Sequence, residues 1–268
     1  QIREVFSDSL HVGTVSAGLC LLETEFQDFT HTIFYAKQCA LAAAKTGTGC
    51  RLCDTEQLRV CRERWQLLED FEQGIANEEF ELYLQFFVDA GTFQVVGSEA
   101  LSRWHHPRLG LLKPDRYIPL LEESGRIGAL DFYGLKKACT FLQDLDRQQI
   151  RDFFVSCNFA RKTLCAPDFA QRCIQVIQRY SFVRKLLILE VTESQQLSDA
   201  ETAQMLRNIA TVREFGTRVI FDDFGVGFSS FHDLQDGLMD GLKLDKELVD
   251  NMWTKKGRII LQALVDAG

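Results

Sequence analysis

Five oxygen-bearing side chains stand at the ends of short apolar runs in separate parts of the chain. Val95-Val96-Gly97-Ser98 leads to Glu99, and Phe153–Cys157 delivers Asn158. Leu186–Leu189 delivers Glu190, with Thr192 and Glu193 behind it, and Val219-Ile220-Phe221 delivers Asp222 and Asp223. A further run, Gly241–Leu244, carries Lys243 and leads to Asp245. A donor set of oxygens without His or Cys suits a hard divalent cation, Mg²⁺ or Mn²⁺, better than zinc. Neighbouring carboxylates such as Asp222–Asp223 are costly to hold ionised side by side unless a cation lies between them. Bridging two ions ~3.5–4 Å apart, they form a clamp suited to phosphodiester cleavage. Lys243 would supply positive charge to an attacking water or a phosphate oxygen. Each acid taken alone reads equally well as a helix N-cap or a solvated loop residue, and Asp222-Asp223-Phe224-Gly225 as a turn.

Elements that bring such residues together must be strands ending at one rim. The apolar runs Leu82–Val88, Phe93–Glu99, Phe153–Asn158, Leu186–Glu190, Arg218–Asp222 and Gly241–Leu244 alternate with helical segments, the later ones near Phe169–Tyr180, Ala200–Phe215 and Lys246–Val265. That rhythm predicts parallel strands with crossover helices, whose carboxyl ends face a ligand. No Gly-x-Gly-x-x-Gly or P-loop follows an early strand, so the expected fold is α/β, a (β/α)8 barrel. Six strands are counted where closure needs eight, so the barrel is expected to lack its last two. The first ~50 residues read as a small α+β remnant, with a buried strand over Val12–Leu22 and a helix over Phe26–Lys45 whose inner face is Phe29, Ile33, Ala36 and Ala40. A second helix carries Leu58, Cys61, Trp65, Leu68 and Phe71 at three- and four-residue steps and ends near Gly74–Asn77.

Composition narrows the function classes. The chain has 268 residues, 46% hydrophobic and 25% charged, enough apolar material for a sizeable core. Lys+Arg 30 against Asp+Glu 38 gives a net charge of −8, which argues against a DNA or RNA duplex as partner. The stretch Ser9–Leu22 is too short and polar to span a bilayer, so a soluble, cytoplasmic protein is expected. Nine Cys, an odd number over a long chain, do not read as a disulfide framework. Cys139, Cys157, Cys165 and Cys173 read as small core hydrophobes, and the Cys50–Cys53 pair lacks the second pair that structural zinc needs. His105 and His106 read as loop residues, Trp65 and Phe71 as helix core, and Glu78, Glu79 and Glu81 as a solvated face.

At these residues the sequence resembles the EAL-domain family of bacterial cyclic di-GMP phosphodiesterases. The signature stands as Gly97-Ser98-Glu99-Ala100-Leu101-Ser102-Arg103-Trp104, followed by His106-Pro107. Leu111-Leu112-Lys113-Pro114, the segment Tyr117–Gly125, Ser156-Cys157-Asn158, Glu190-Val191-Thr192-Glu193, the segment Asp222–Ser230 and Leu242-Lys243-Leu244-Asp245 follow in the family's order. The resemblance runs from about Arg64 to Gly268. It implies metal-dependent hydrolysis of one phosphodiester bond of cyclic di-GMP to the linear dinucleotide. It further implies two divalent ions, with Glu99, Asn158, Glu190 and Asp222 as ligands to one and Asp223 to the second. Lys243 matches the lysine that helps activate the water, so Glu99, Lys243 and Asp223 form the catalytic set. Gln85, Leu101 and Arg103 match positions lining the dinucleotide, Arg103 as a phosphate contact, and Glu193 matches the glutamate that holds the Asp-Asp-Phe-Gly loop.

Some positions depart from the family. Gln85-Phe86-Phe87 replaces Gln-Pro-Ile, and Phe159-Ala160 replaces the usual Leu-Ser. The family's seventh strand, with its Ala-Glu-Gly-Val-Glu motif, and its eighth, with a functional Gln, have no counterpart before Gly268, so the segment itself is expected to be impaired. Residues 1–55 resemble the C-terminal part of a GGDEF domain through Val15-Ser16-Ala17-Gly18 and the stretch Tyr35–Gly47, without the GGDEF signature, so no cyclase activity follows. The expected organisation is 1–55 as that remnant, 56–78 as a connecting helix and 79–268 as the EAL domain, a candidate for homodimer formation. The rivals are a non-hydrolysing cyclic di-GMP receptor, a pure interaction module, and a metal-dependent barrel acting on carboxylates. The intact acids, Lys243 and Arg103 favour the enzyme.

Overall fold

A computed structural model of the chain describes residues 16–20, 29–192, 197–224, 239–259 and 262. The chain divides into two units, Gln1–Ala76 and Asn77–Gly268. In the first, strand β1 (Ala17–Leu19) pairs in parallel with β2 (Cys50–Leu52), flanked by helices α1 (Phe29–Thr46) and α2 (Thr55–Ala76). Of the expected strand over 12–22, the described part is β1 and its two neighbours. A side chain at Gly18 would lie 1.8 Å from the Ala36 carbonyl oxygen, so only glycine lets β1 approach α1 this closely. The buried line of α1 is Tyr35, Cys39 and Ala43, whereas Ile33, expected inside, is 68% exposed. The true stripe lies about a quarter-turn from the one expected, a rotation that 3.6-residue periodicity leaves open when alanines line both faces.

Cys139, Cys157 and Cys173 are buried as expected, but one pair of cysteines differs from expectation. Cys39 and Cys53 form a disulfide with Cα atoms 6.1 Å apart, inside a buried cluster with Tyr35 and Cys61. Cys50 is exposed and free. It lies on β2 and Cys53 just beyond that strand's end, where an extended backbone keeps them ~10 Å apart, too far for a bond.

The second unit is built on a seven-stranded sheet of order β3-β4-β6-β7-β8-β9, with β5 paired to β4. Its strands are β3 (Phe80–Val88), β4 (Val95–His106), β5 (Gly110–Leu112), β6 (Phe154–Ala160), β7 (Leu187–Thr192), β8 (Arg218–Phe224) and β9 (Gly241–Leu244). From β4 through β9 the main pairings are parallel, as expected. β3 is antiparallel to β4, a correction to the all-parallel reading. The six residues between them cannot hold a crossover helix. They form a tight turn instead, in which Asp89 Oδ1 accepts from the backbone N–H groups of Gly91 and Thr92 at 3.1 and 2.7 Å. Among the described residues the sheet is open, β3 and β9 being its outer members.

Helices α3 (Pro114–Glu123), α4 (Ile127–Arg147), α6 (Phe169–Ile177) and α7 (Asp199–Glu214) are joined by the single turn α5 (Arg161–Leu164) and, past β9, by α8 (Lys246–Asp250). Strand alternation sends Val155, Cys157, Phe159, Leu187, Leu189, Val191, Val219 and Phe221 to the outer face, where they form one core with Phe132, Leu135, Phe169, Met205 and Ile209 of the helices. The intervening residues point to the opposite face.

A carboxyl group is enclosed on the core side. Asp131 of α4 accepts from the Thr163 hydroxyl at 2.6 Å and the Ala160 N–H at 3.2 Å, fastening the turn that follows β6. Burial pushes its carboxyl up to about 7 despite those two donors. The folded chain then holds this proton more tightly than the unfolded chain, whose aspartate titrates near 3.8, so this group's contribution to stability is present below that value and is lost as pH rises towards 7. Asp131→Asn keeps the acceptor and removes the titration. Urea midpoints at about pH 5 and about pH 8 should show the native chain losing stability relative to Asp131→Asn as pH rises; parallel behaviour of the two would contradict the assignment.

Candidate active site

The pairing register puts the predicted donors on one face. Glu99 pairs with Ser156, so Asn158, two residues on, points the same way. Asn158 pairs with Glu190, and Glu190 with Ile220, two residues before Asp222. Phe221 pairs with Leu242, which aligns Asp222 with Lys243. Two of these steps, from Glu99 to Asn158 and from Glu190 to Asp222, move the polar residue two positions towards the strand ends, the stagger of a curving sheet. Gln85 pairs with Glu99 across β3 and β4 and shares this face.

The side chains meet at Lys243. Its Nζ donates to Glu99 Oε2 at 2.8 Å and Glu190 Oε2 at 2.6 Å and lies 3.0 Å from Asp222 Oδ1. Asn158 Nδ2 donates to Glu99 Oε1 at 2.7 Å. Glu190 is fully buried. Burial and the facing Glu99 push its carboxyl up to about 7, against the pull of Lys243. Burial alone would lower the Lys243 ammonium, but Glu190 and Glu99 outweigh it and hold the pKa above its usual range.

Three carboxylates, those of Glu99, Glu190 and Asp222, bring ligand oxygens within 4.8 Å of one another. Glu190 Oε1 and Asn158 Oδ1 are buried without a hydrogen-bond partner among the described residues. Oxygen donors alone, an excess of negative charge and two unsatisfied buried acceptors fit a hard divalent cation. Asp223 follows Asp222 in β8, and its side chain lies outside the described residues, as do Glu193 and the loop 225–238.

Gln85, Leu101 and Arg103 lie on a second feature of the same face. Pairing of β4 with β6 stops at Ala100, while β3 and β4 continue together to Phe80 and Trp104. They form a ribbon standing beyond the acidic cluster. Its back is fixed by Trp104, which stacks on Phe80 at 4.7 Å and meets Tyr117 edge-on at 5.8 Å, with its Nε1 donating to Glu79 at 2.9 Å. Glu79 is therefore a partner in an aromatic core rather than a solvated acid. His105 and His106 end β4 instead of lying in a loop. His105 faces Glu81 at 3.0 Å, and buried His106 accepts from the Arg108 N–H at 3.2 Å, closing the turn to β5. The sequence reading missed Tyr83 on the front face and gave Phe87 only as a departure from the family. Tyr83 lies under the Arg103 guanidinium, 5.4 Å from its ring centroid, and the Phe87 ring lies 5.9 Å from Lys243 Nζ. The period-two run Glu81, Tyr83, Gln85, Phe87 is the signal that would have placed both beside Glu99.

The EAL-domain family model matches residues 68–268. The chain belongs to the EAL-domain family. It is 34% identical over 211 residues to a signalling protein of Caulobacter vibrioides, covering 78% of this chain and 25% of that one. It is 30% identical over 201 residues to the cyclic di-GMP phosphodiesterase NbdA of Pseudomonas aeruginosa, covering 75% of this chain and 25% of that one. This EAL chain thus spans about a quarter of the length of those two relatives. The cyclic di-GMP complex of the PaMucR phosphodiesterase superposes with a TM-score of 0.66 at 29% identity, covering 76% of this chain and 82% of that structure. That likeness agrees with a TIM-barrel-like α/β fold. Among the described residues, no helix is long and apolar enough to cross a membrane.

Lys243 is the cation that lets the acids share one face. Lys243→Ala in EDTA leaves Glu190 and Glu99 opposed at a mostly buried site and should cost about 3 kcal/mol in urea unfolding. Adding Glu190→Gln to that variant should return part of the loss, and a double variant no more stable than Lys243→Ala would refute this electrostatic account.

Proposed function

We propose that this EAL chain belongs to a phosphodiesterase that hydrolyses cyclic di-GMP to the linear dinucleotide with two divalent ions, Mg²⁺ or Mn²⁺. The observation that carries the reading is the convergence of Glu99, Asn158, Glu190, Asp222 and Lys243 from five strands onto one face. Bound divalent ions would acidify a water and stabilise negative charge on the phosphate oxygens. The chain's own groups do the rest. Glu99, Asn158, Glu190 and Asp222 hold one ion, and Asp223, by its motif, contributes to the second. Lys243 holds its proton firmly among the acids and supplies fixed positive charge beside the attacked phosphate. Gln85 and Leu101 line the dinucleotide, Arg103 takes a phosphate with its guanidinium, and Glu193, by its motif, holds the loop after β8. In the reaction the water oxygen bonds to phosphorus as one bridging P–O bond breaks, and a proton passes to the departing ribose oxygen.

The same reading extends to the rest of the molecule. Residues 1–55 form the end of a GGDEF-like domain that serves as a structural neighbour, 56–78 a connecting helix and 79–268 the EAL domain, acting in the bacterial cytoplasm with a homodimer formed through the EAL domain. A second reading has one specific observation behind it. The Lys243 ammonium already pairs with three acids of the cluster, an arrangement that also serves a receptor binding cyclic di-GMP without cleaving it.

Hydrolysis separates the two. The full-length protein with Mn²⁺ should convert cyclic di-GMP to the linear product, whereas binding without turnover over hours would establish the receptor. Glu99→Ala should lower the rate by ~10²-fold or more, and a loss under about threefold would remove Glu99 from the ion site.

A further inference from the structure

Beyond the cluster, the β3–β4 ribbon has a front face whose chemistry nothing above assigns in full. At ~3.4 Å per residue, Arg103 sits ~14 Å along β4 from Glu99, so an arginine extended away from the cluster would point off the wall. Its guanidinium instead turns back over the ring of Tyr83, the residue paired with Leu101 one step nearer the acids. Arg103 Nη1 donates to the Ser102 carbonyl at 2.8 Å, which fixes one edge of the fork. Glu81, the pairing partner of Arg103, is faced instead by His105. Among the described residues no carboxylate lies within ion-pair distance of Arg103, so its charge is available to an anion. Behind the ribbon the Ser102 hydroxyl is 2.8 Å from that of Tyr117, and Trp104 is fully enclosed, so the platform is rigid. Tyr83 itself is 43% exposed and contributes little to the core.

We propose that Tyr83 is a positioning residue for the ligand's phosphate: its ring holds the Arg103 guanidinium turned down the wall towards the acidic cluster, in the orientation that receives a phosphate of the cyclic dinucleotide. The inference rests on the proposed substrate and deepens it by naming the group that aims Arg103. Tyr83 acts through Arg103, so its effect belongs to binding rather than to the chemical step, and it vanishes when Arg103 is gone. An aromatic ring is what the role requires; the hydroxyl is not.

The test is a double-mutant cycle in the full-length protein, reading KM and kcat with Mn²⁺ and Kd for cyclic di-GMP by calorimetry in EDTA. Tyr83→Leu should weaken binding and raise KM about fivefold, the upper value for an exposed cation–π pair, with the loss falling on KM and not on kcat. Tyr83→Phe should restore the affinity. In an Arg103→Ala background, Tyr83→Leu should produce no further loss. The thermal midpoint of Tyr83→Leu should stay within about 2 °C of the native chain, as for an exposed residue. A change in Kd under about 1.5-fold, or the same loss with and without Arg103, would overturn the positioning role. If the native protein neither binds nor cleaves cyclic di-GMP, the substrate itself is wrong and the inference falls with it. Normal binding that ignores Tyr83 removes the inference alone.

Discussion

Carboxylates that share a low-dielectric face repel one another, and the second unit is organised around how that repulsion is met. Glu190 is fully buried, with Glu99 and Asp222 close enough for all three to reach a single ion. In water such a group would separate. Here the strands hold it together, and Lys243 is the cation that makes the arrangement tolerable. Burial, and after it the facing Glu99, push the Glu190 carboxyl up to about 7 against the pull of that one lysine. The buried oxygens of Glu190 and Asn158 that lack partners among the described residues show a shortfall in hydrogen bonding. A site left under-neutralised in this way gains free energy when a divalent ion binds, and that gain stabilises the fold as well as the ion. Strain of this kind is retained where function needs it.

The outer face of the sheet bears the cost. Phe159, Phe169 and Phe132 pack edge-on behind β6, directly opposite the face that carries Asn158. Asn208 of α7 donates to the carbonyls of Leu164 and Ala166 at 2.6 and 2.9 Å, while Asp131 of α4 holds Ala160 and Thr163. The turn after β6 is therefore secured by buried polar groups from two helices. With its backbone held on both sides, Asn158 has little freedom to yield to the charges beside it. A dry, tightly packed layer beneath a strained polar layer is the division of labour that strand alternation makes available.

Much of this could be read from the sequence, and the parts that could not share a cause. An apolar run ending in a polar residue marks a strand and the end where that residue emerges, so the meeting of Glu99, Asn158, Glu190, Asp222 and Lys243 on one face was legible in the sequence. Period-two patterning is blind to direction, however, and the reversal of β3, which the all-parallel reading missed, is set by the short Asp89–Gln94 turn. Periodicity also fixes a helical face only when one stripe is clearly more apolar, which fails for alanine-rich α1 and its exposed Ile33. Pairing of Cys39 with Cys53 depends on how α1 lies against β2, a tertiary relation that spacing cannot supply. The two histidines after Trp104 were misplaced because β4 runs well beyond its apolar stretch. Its last residues are held by pairing with β3 and β5, not by their own hydrophobicity.

Under the proposed function, that extension of β4 sets the ligand's contacts apart from those of the ions. The cluster lies where β4 is flanked by β3 and β6, in the most constrained part of the sheet. The ribbon beyond it is bonded to β3 and β5 and rests on an aromatic nest of Phe80, Trp104, Tyr117 and Tyr133. Substitutions at Tyr83, Leu101 or Arg103 on its front leave that nest intact, so under the proposed function the ligand contacts there can vary without disturbing the charges below. Substitutions in the cluster have no such freedom, because its acids repel one another and share one ammonium at a mostly buried site, so a change at one shifts the balance of all. Variation in what is bound should therefore be concentrated on the ribbon, and variation in whether the site can act at all should be concentrated on the acids and Lys243.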